Sequence, residues 1–415
     1  LDCYEDASGQ KVNREKTSLF FSKYTKENVR LSLSRAVGVN PTQRYERYLG
    51  LMAFIGKSKV SSFNGIKGRI WAKMNGWKEQ FISHAGKEIL LKAVLQAIPT
   101  YSMRVFQLPK TLCREINSLM AKFWWGHNEN TSKISWMSWS KLERSKNTCG
   151  LGYRDLEAFN MGLLAKQGWR LVQHPETLVA RVFREKYHSG GSFLESQHGW
   201  RPSFAWRSIW NSKSLLKECL MWKVGTGESI KIWGDQWLPH NSHALYPPPD
   251  GLDEQSTVDS LINQDSNWWN VPYIESIFSA DVVAQICSLG ISPGSQDDRL
   301  IWAGTKNGEF SVRSAYYLEV ERRSRSLGTG SLPASANPFW KVIWKLKVPR
   351  AVQVFLWWGC NNILPTKENL FHRKVVSDPF CPLCGTEVKT AGHFLCRCEW
   401  STGVWAECPI DLSPF

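Results

Sequence analysis

Near its C-terminal end the chain reads Cys381-Pro-Leu-Cys384, then eight residues, His393, four residues and Cys398. Two cysteines separated by two residues form a tight knuckle that aims both sulfurs at one point. A His and a Cys with four residues between them complete a tetrahedron from the start of a following helix or turn. Three thiolates and one imidazole suit a four-coordinate structural zinc. A catalytic zinc needs an open position, and nothing in the pattern supplies one. Cys396, two residues before Cys398, competes for the fourth place; the His-x4-Cys spacing favours Cys398. The competing reading is a group of free cysteines in a reducing compartment. A knuckle and a closing pair within eighteen residues favour zinc.

The 415 residues make two to four domains the prior expectation. Hydrophobic residues make up 42%, enough for real cores, and no run is long enough to cross a bilayer. The eleven cysteines are odd in number and five lie within 381–408, which is metal-site usage rather than a disulfide framework. Cys113, Cys149, Cys219, Cys287 and Cys360 are expected as small buried apolar residues. Leu1-Asp2-Cys3-Tyr4 carries no initiator Met and no signal-peptide pattern. It reads as if cut from a longer protein.

Net charge is +15, unevenly spread. Residues 51–150 hold 16 Lys/Arg against 5 Asp/Glu, residues 251–300 hold 1 against 8, and residues 301–350 hold 9 against 3. A basic half followed by an acidic patch suggests a polyanion-binding surface and a separate module. The 22 Trp exceed what packing usually needs. Cations interleaved with rings are what single-stranded nucleic acid requires, although any single Trp is more often core.

Leu19–Phe21 reads as a short buried strand and 26–37 as a helix. Residues 63–98 read as helices broken near Gly76 and Gly86. In the second, Ile89, Leu90, Ala93, Val94 and Ala97 are expected to line the inner face, with Lys87 and Lys92 elsewhere and Pro99 as the stop. Lys57, Lys59, Lys67, Arg69, Lys73 and Lys78 cluster with Trp71 and Trp77. They are candidates for phosphate contacts, against the alternative of a solvated helix face.

Helices are expected over 112–123 and 159–172, with Asp155 and Asn160 competing for the second cap and Gly150 and Gly152 making a tight turn. His127 has no ligand-spaced companions and reads as a surface residue. Leu220–Val224, the turn Gly225-Thr226-Gly227 and Ser229–Trp233 read as a β-hairpin. Asp235 reads as a turn residue over a Trp core, since no second carboxylate supports acid–base chemistry.

Pro247–Gly251 marks a linker. Two short acidic helices should follow, with Ile274, Ile277, Phe278, Val282 and Ile286 inward. Lys306-Asn307-Gly308 predicts a hairpin between Arg299–Trp302 and Glu309–Val312, and 324–338 a flexible loop. At least one helical turn is expected over Phe339–Trp344. Pro349 starts a helix with Val352, Phe355, Leu356 and Gly359 inward, and Thr366 caps a helix holding Leu370. His372 lies outside the knuckle spacing and is discounted.

Three strings carry a family resemblance. "SGQKVNREKTSLFFS" with "RYLGL" resembles the segment after the catalytic aspartates in reverse transcriptases of plant LINE-type (non-LTR) retrotransposons. "FWWG…KISWMSWSKLERSKNTCGLGYRDLEAFNMGLLAKQGWRL" resembles the region after that polymerase, and is similar to plant mitochondrial open reading frames of retrotransposon origin. "FSVRSAY…FWKVIWKLKVPRAVQVFLWW…LPTKENL…CPLCGTEVKTAGHFLCRCEW" resembles the reverse transcriptase zinc-binding domain.

The resemblance implies metal positions at Cys381, Cys384, His393 and Cys398, with Glu387 at the family's acidic position. It makes the 63–98 helices, with the Lys57-to-Lys78 cluster, a polymerase thumb lying along a minor groove. It matches Lys16 to a lysine that aids protonation of the leaving pyrophosphate, with a solvated Lys at a strand entrance as the competing reading. The family's Tyr- or Phe-Ala-Asp-Asp turn does not occur in these 415 residues, nor does a ribonuclease H domain. Two-metal phosphoryl transfer therefore has no home in this chain.

The expected fold class is α+β, predominantly helical. Residues 1–100 form a remnant of palm and thumb, and 101–245 a helical middle region with a Trp-rich β-hairpin. Residues 246–300 form a linker with acidic helices, and 301–415 a zinc-binding domain with a hairpin and small knuckle. The expected function is a truncated retrotransposon-derived protein that binds RNA or DNA through backbone charge, holds structural Zn2+ and has no polymerase activity alone. The rest of a retrotransposon polyprotein is a second expected partner; a membrane and a small-molecule substrate are not expected. The alternatives are a zinc-stapled protein-interaction module and a relic without selected function. The family implies a nuclear setting, with mitochondria as the other option and no sorting signal to choose.

Overall fold

The protein is described by a computed structural model, covering residues 2–407 except 14–16, 18, 23, 43–46, 49, 53–54, 57, 78–80, 128–132, 189–190, 240–252, 254, 264, 292–295 and 327–336. Lys16, Lys57, Lys78, the Pro247–Gly251 linker and most of the expected 324–338 loop lie outside the described residues. The fold is predominantly helical with small two-stranded sheets, as expected. Among the described residues no helix is long and apolar enough to cross a membrane.

Strand β1 (Leu19–Phe20) pairs in parallel with β2 (Pro41–Thr42), and α1 (Glu27–Val37) lies between them. Phe20 is exposed, so the expected buried strand is corrected: two paired residues at the surface have little to bury against. Helix α2 (Lys59–Asn75) starts at Ser58, whose hydroxyl accepts from Ser61 N. It buries Phe63, Ile66 and Ile70 at helical spacing.

Helix α3 (His84–Leu90) is capped by Ser83, which accepts from Gly86 N, so Gly86 lies in its first turn and is not a break. A π turn over Leu91–Leu95 follows, closed by Gln96 N donating to Leu91 O at 3.0 Å. The wider turn shifts the register. Leu91 and Leu95 are buried, whereas Ile89, Ala93 and Ala97 face outward. The expected inner face is therefore corrected, and Lys87 and Glu88 are buried on the side that packs.

Helix α4 (Lys110–Trp125) buries seven residues from Leu112 to Trp125 and ends at Gly126, whose φ of 75° is the left-handed conformation that favours glycine. Helix α5 (Leu156–Gln173) is capped by Asp155, whose carboxylate accepts from Glu157 N at 2.9 Å and Ala158 N at 3.0 Å. Asn160 instead points into the core. Its amide donates to Met103 O and Phe106 O, and its Oδ1 accepts from Leu108 N. Helix α6 (Leu178–Tyr187) follows.

Both expected hairpins are corrected by one pairing. Strand β3 (Leu220–Lys223) runs antiparallel to β4 (Arg299–Trp302), with Leu220 opposite Trp302 and Trp222 opposite Leu300. The 225–229 loop does not turn back on β3; it wraps the Asp298 carboxylate, which accepts from Gly225 N, Gly227 N and Ser229 N at 2.7–2.9 Å. Ile230 and Ile232 bond instead to Val258 and Ser256. The Lys306–Gly308 turn does form, with Trp302 N donating to Gly308 O at 2.8 Å. No second strand follows it, because Ser311 accepts from Ser314 N and starts α9 (Val312–Ser326).

Helices α7 (Val271–Ile277) and α8 (Ala280–Ser288) bury Ile274, Val282 and Ile286 as expected. They share a core with Ile230, Trp233 and Trp237, so the acidic segment packs on the Trp-rich one. Asp235 accepts from Lys231 N above this core, the turn role expected of it. A second core joins α5 to α9 through Leu164, Trp206, Trp302 and Ala315. Gly162 permits that approach, since a Cβ there would lie 3.2 Å from Val312 O. The largest core spans Phe63 to Leu163 and then takes in Val354, Trp357 and Ile363. The expected divisions at 100 and 300 do not separate cores.

Helix α10 (Pro338–Lys345) covers the expected 339–344 turn, and α11 (Arg350–Cys360) follows Pro349. Its buried residues are Gln353, Val354 and Trp357, while Val352 and Phe355 are exposed. Polar anchors rotate it from the expected face: Gln353 Nε2 donates to Leu346 O and Trp357 Nε1 to Cys149 O, both at 2.8 Å. Thr366 caps α12 (Lys367–His372) by accepting from Asn369 N, as expected. Cys113 is buried, but Cys149, Cys219 and Cys287 are half-buried and Cys360 is exposed, correcting that expectation.

Candidate metal centre and basic helix

The knuckle is made by backbone bonds. Cys381 N donates to Glu387 O and Gly385 N to Cys381 O, both at 2.8 Å, with Gly385 at φ 72°. A bridge between Phe380 and Val388 closes its base. The second pair sits on a π turn over His393–Arg397, in which Cys398 N donates to His393 O at 2.8 Å. That five-residue step is the physical meaning of the His-x4-Cys spacing. It brings Cys398 back beneath His393 and leaves Cys396 exposed. Cys398 then leads into α13 (Glu399–Ala406).

One ligand atom from each of Cys381, Cys384, His393 and Cys398 lies within 4.8 Å of all the others, so the four could hold a metal ion. His393 Nε2 stands 3.4 Å from Cys384 Sγ. A tetrahedral zinc with Zn–S near 2.3 Å spaces its donors by about 3.7 Å, which fits this cluster. Cys381, His393 and Cys398 are buried and Cys384 half-buried. Four donors fill a tetrahedron, so the arrangement suits a structural role.

The electrostatics prepare the donors. Glu387 Oε2 lies 2.8 Å from His393 Nδ1; donation from that nitrogen leaves Nε2 free to accept a metal. The Thr386 hydroxyl, then the Glu387 and Thr386 amides, bring the Cys384 thiol down to about 6. Burial opposes the Cys381 thiolate, but the Cys384 and Leu383 amides outweigh it and lower that thiol too. Burial and the neighbouring Cys381 raise Cys398. Cys381, and less strongly Glu387, hold His393 above the ordinary imidazole value against burial. A bound cation removes the remaining thiol protons.

The family described as zinc-binding in reverse transcriptase matches residues 310–405. An Arabidopsis thaliana protein named "Putative ribonuclease H protein" is 30% identical over 356 residues, 83% of this chain and 55% of its own length. An uncharacterized mitochondrial protein of Arabidopsis thaliana is 46% identical over 143 residues, 34% of this chain and 93% of that protein. The chain belongs to the retrotransposon-derived proteins that carry a reverse transcriptase zinc-binding domain. It spans about half the length of the first relative. In this retrotransposon-derived chain the matched region begins at the Phe310 turn and ends within α13, enclosing all four donors.

The basic candidates separate on inspection. Lys67 is paired with Glu115 at 2.6 Å, and Lys59 lies over the Phe204 ring at 5.1 Å. Arg69 and Lys73 are exposed one turn apart on α2, with no ion-pair partner among the described residues. Trp71 between them is half exposed, whereas Trp77 packs on Phe123. Trp124, Trp206, Trp237, Trp302 and Trp357 are fully buried, so the Trp count mostly reflects core. His127 meets Ser135, with no ligand-type companion among the described residues, and His372 is exposed outside the metal cluster.

Sequence reasoning missed Glu88. It is buried, and Lys92, Lys146 and Arg350 all reach its carboxylate within 2.9 Å. Lys92 lies one helical turn away, but Lys146 and Arg350 come from distant stretches, so only the Glu88–Lys92 spacing is written locally and nothing in it marks a buried site.

Proposed function

We propose that this chain binds RNA or DNA through phosphate charge on α2 and carries a structural zinc at Cys381, Cys384, His393 and Cys398. The observation that carries the binding reading is the free pair Arg69 and Lys73 flanking exposed Trp71, within a stretch of strong positive charge. Cations contact the backbone and a ring stacks on a base, without sequence readout. Lys59 contributes at the rim, and Lys57 and Lys78 extend the basic stretch in sequence. Lys67 is largely occupied by Glu115. Nucleic acid is the first proposed partner and the rest of a retrotransposon polyprotein the second. The chain by itself has no polymerase activity, because the family's Tyr- or Phe-Ala-Asp-Asp turn does not occur in it.

The test is equilibrium binding of RNA and single-stranded DNA between about 50 and 200 mM salt. Log affinity should fall linearly with log salt, in proportion to the phosphates neutralised. Absent or salt-independent binding would sink the reading. Primer extension with Mg2+ should give no product.

A protein-interaction reading keeps one supporting observation, the exposed apolar residues Val342, Val352 and Phe355 on α10 and α11. A co-purifying protein that survives nuclease treatment would favour it.

A further inference from the structure

Arg184 and Lys217 border a cleft of about 580 Å³ between α5, α6 and the β3–β4 ribbon. Its volume lies in the range of small-ligand sites. Trp222 faces Leu300 across the ladder, and Leu220 shares their face two residues away. Leu171 and Phe193 complete the apolar wall.

Charge decides what such a cleft would take. Residues 166–223 carry 10 Lys/Arg against 4 Asp/Glu. Arg184 and Lys217 are exposed and have no ion-pair partner among the described residues. Two carboxylates also line the cleft, each turned to a backbone amide of its own loop: Glu195 accepts from Ser192 N at 3.1 Å and Asp235 from Lys231 N at 2.9 Å, so that phosphate is held at the Arg184 and Lys217 side. Two free cations beside a ring and an apolar wall suit a flat aromatic body carrying phosphate.

We propose that this cleft binds a nucleoside phosphate, free or as the 5′-terminal nucleotide of a strand. Trp222 and Leu300 hold the base, and Arg184 and Lys217 hold the phosphate. The site is separate from α2 and does not depend on strand binding there.

Equilibrium dialysis of the whole chain tests it with the four 5′-mononucleotides, the matching nucleosides, and a trinucleotide with and without a 5′-phosphate. At least one phosphorylated probe should saturate one site per chain, at least tenfold more tightly than its dephosphorylated form. Arg184→Gln with Lys217→Gln should weaken it at least tenfold, as should Trp222→Leu. Arg69→Gln with Lys73→Gln should leave it unchanged while reducing salt-dependent strand binding. Both cations are exposed, so their double variant should keep the parent Tm even if Trp222→Leu does not. Mononucleotide binding assigns a free ligand; binding of the phosphorylated trinucleotide alone assigns a strand end. No saturable binding, equal affinity with and without phosphate, or affinity retained in the Arg184/Lys217 variant overturns the proposal.

Discussion

Glu387 Oε2 stands 2.8 Å from His393 Nδ1, on the ring edge opposite the nitrogen that meets Cys384. The carboxylate is mostly exposed, so its value lies in orienting the imidazole and not in burial. Glu387→Gln should keep one zinc per chain at saturating metal but weaken affinity about 10- to 100-fold, the usual effect of losing such a partner. Chelator competition reads this directly. Unchanged affinity would mean that backbone geometry alone orients His393.

The π turn favours Cys398 over Cys396 as the fourth metal donor. Cys381→Ser and Cys398→Ser should each abolish stoichiometric zinc, whereas Cys396→Ser should retain it, because Cys396 points to solvent. Metal analysis of the purified chain makes the comparison. Loss of zinc only in the Cys396 variant would reverse the assignment.

Glu88 should be a stability hinge. Burial alone would raise its carboxyl, but Arg350, then Lys92 and Lys146, bring it from 4.5 down to about 2. Lys92 is itself lowered, chiefly by burial, despite Glu88; one carboxylate shared among three cations satisfies itself better than each of them. A carboxyl depressed in the folded state contributes stability above its unfolded value, near 4.5, and loses it as pH falls toward 2. Glu88→Gln should cost about 3 kcal/mol at pH 7. Its urea midpoint should also change less between pH 4.5 and 2 than that of the parent. Parallel pH profiles for the two proteins would contradict this.

Asn160 satisfies three backbone groups in the bend before α4. Asn160→Leu keeps the volume but leaves two carbonyls and an amide without their partner. A loss of about 3 kcal/mol or more is expected, since each unsatisfied buried group costs about 1–3 kcal/mol. Denaturant unfolding measures it; a loss below about 1 kcal/mol would show that the bend relaxes.

Arg69→Gln with Lys73→Gln should lower the slope of log affinity against log salt by about 2 for RNA, one per lost phosphate contact. Lys67→Gln should change it less, because Lys67 already has Glu115. An unchanged slope in the double variant would move the strand contacts off α2.

The residues themselves determined whatever is closed by local bonds. The Cys381-to-Cys398 spacing, the Asp155 and Thr366 caps and the helical class follow from neighbours within a few positions. Tertiary structure decided the rest. Gly225–Gly227 reads locally as a hairpin turn, yet its amides are taken by Asp298, 73 and 71 residues away, and β3 pairs with β4 instead. The inward faces of α3 and α11 were misread for a similar reason. Spacing marks which residues share a face, but a π turn and the Glu88–Arg350 pair, 262 residues apart, decide which way that face is turned. Local hydrogen bonds are written in adjacent residues; partners brought together only when the chain closes leave no local mark.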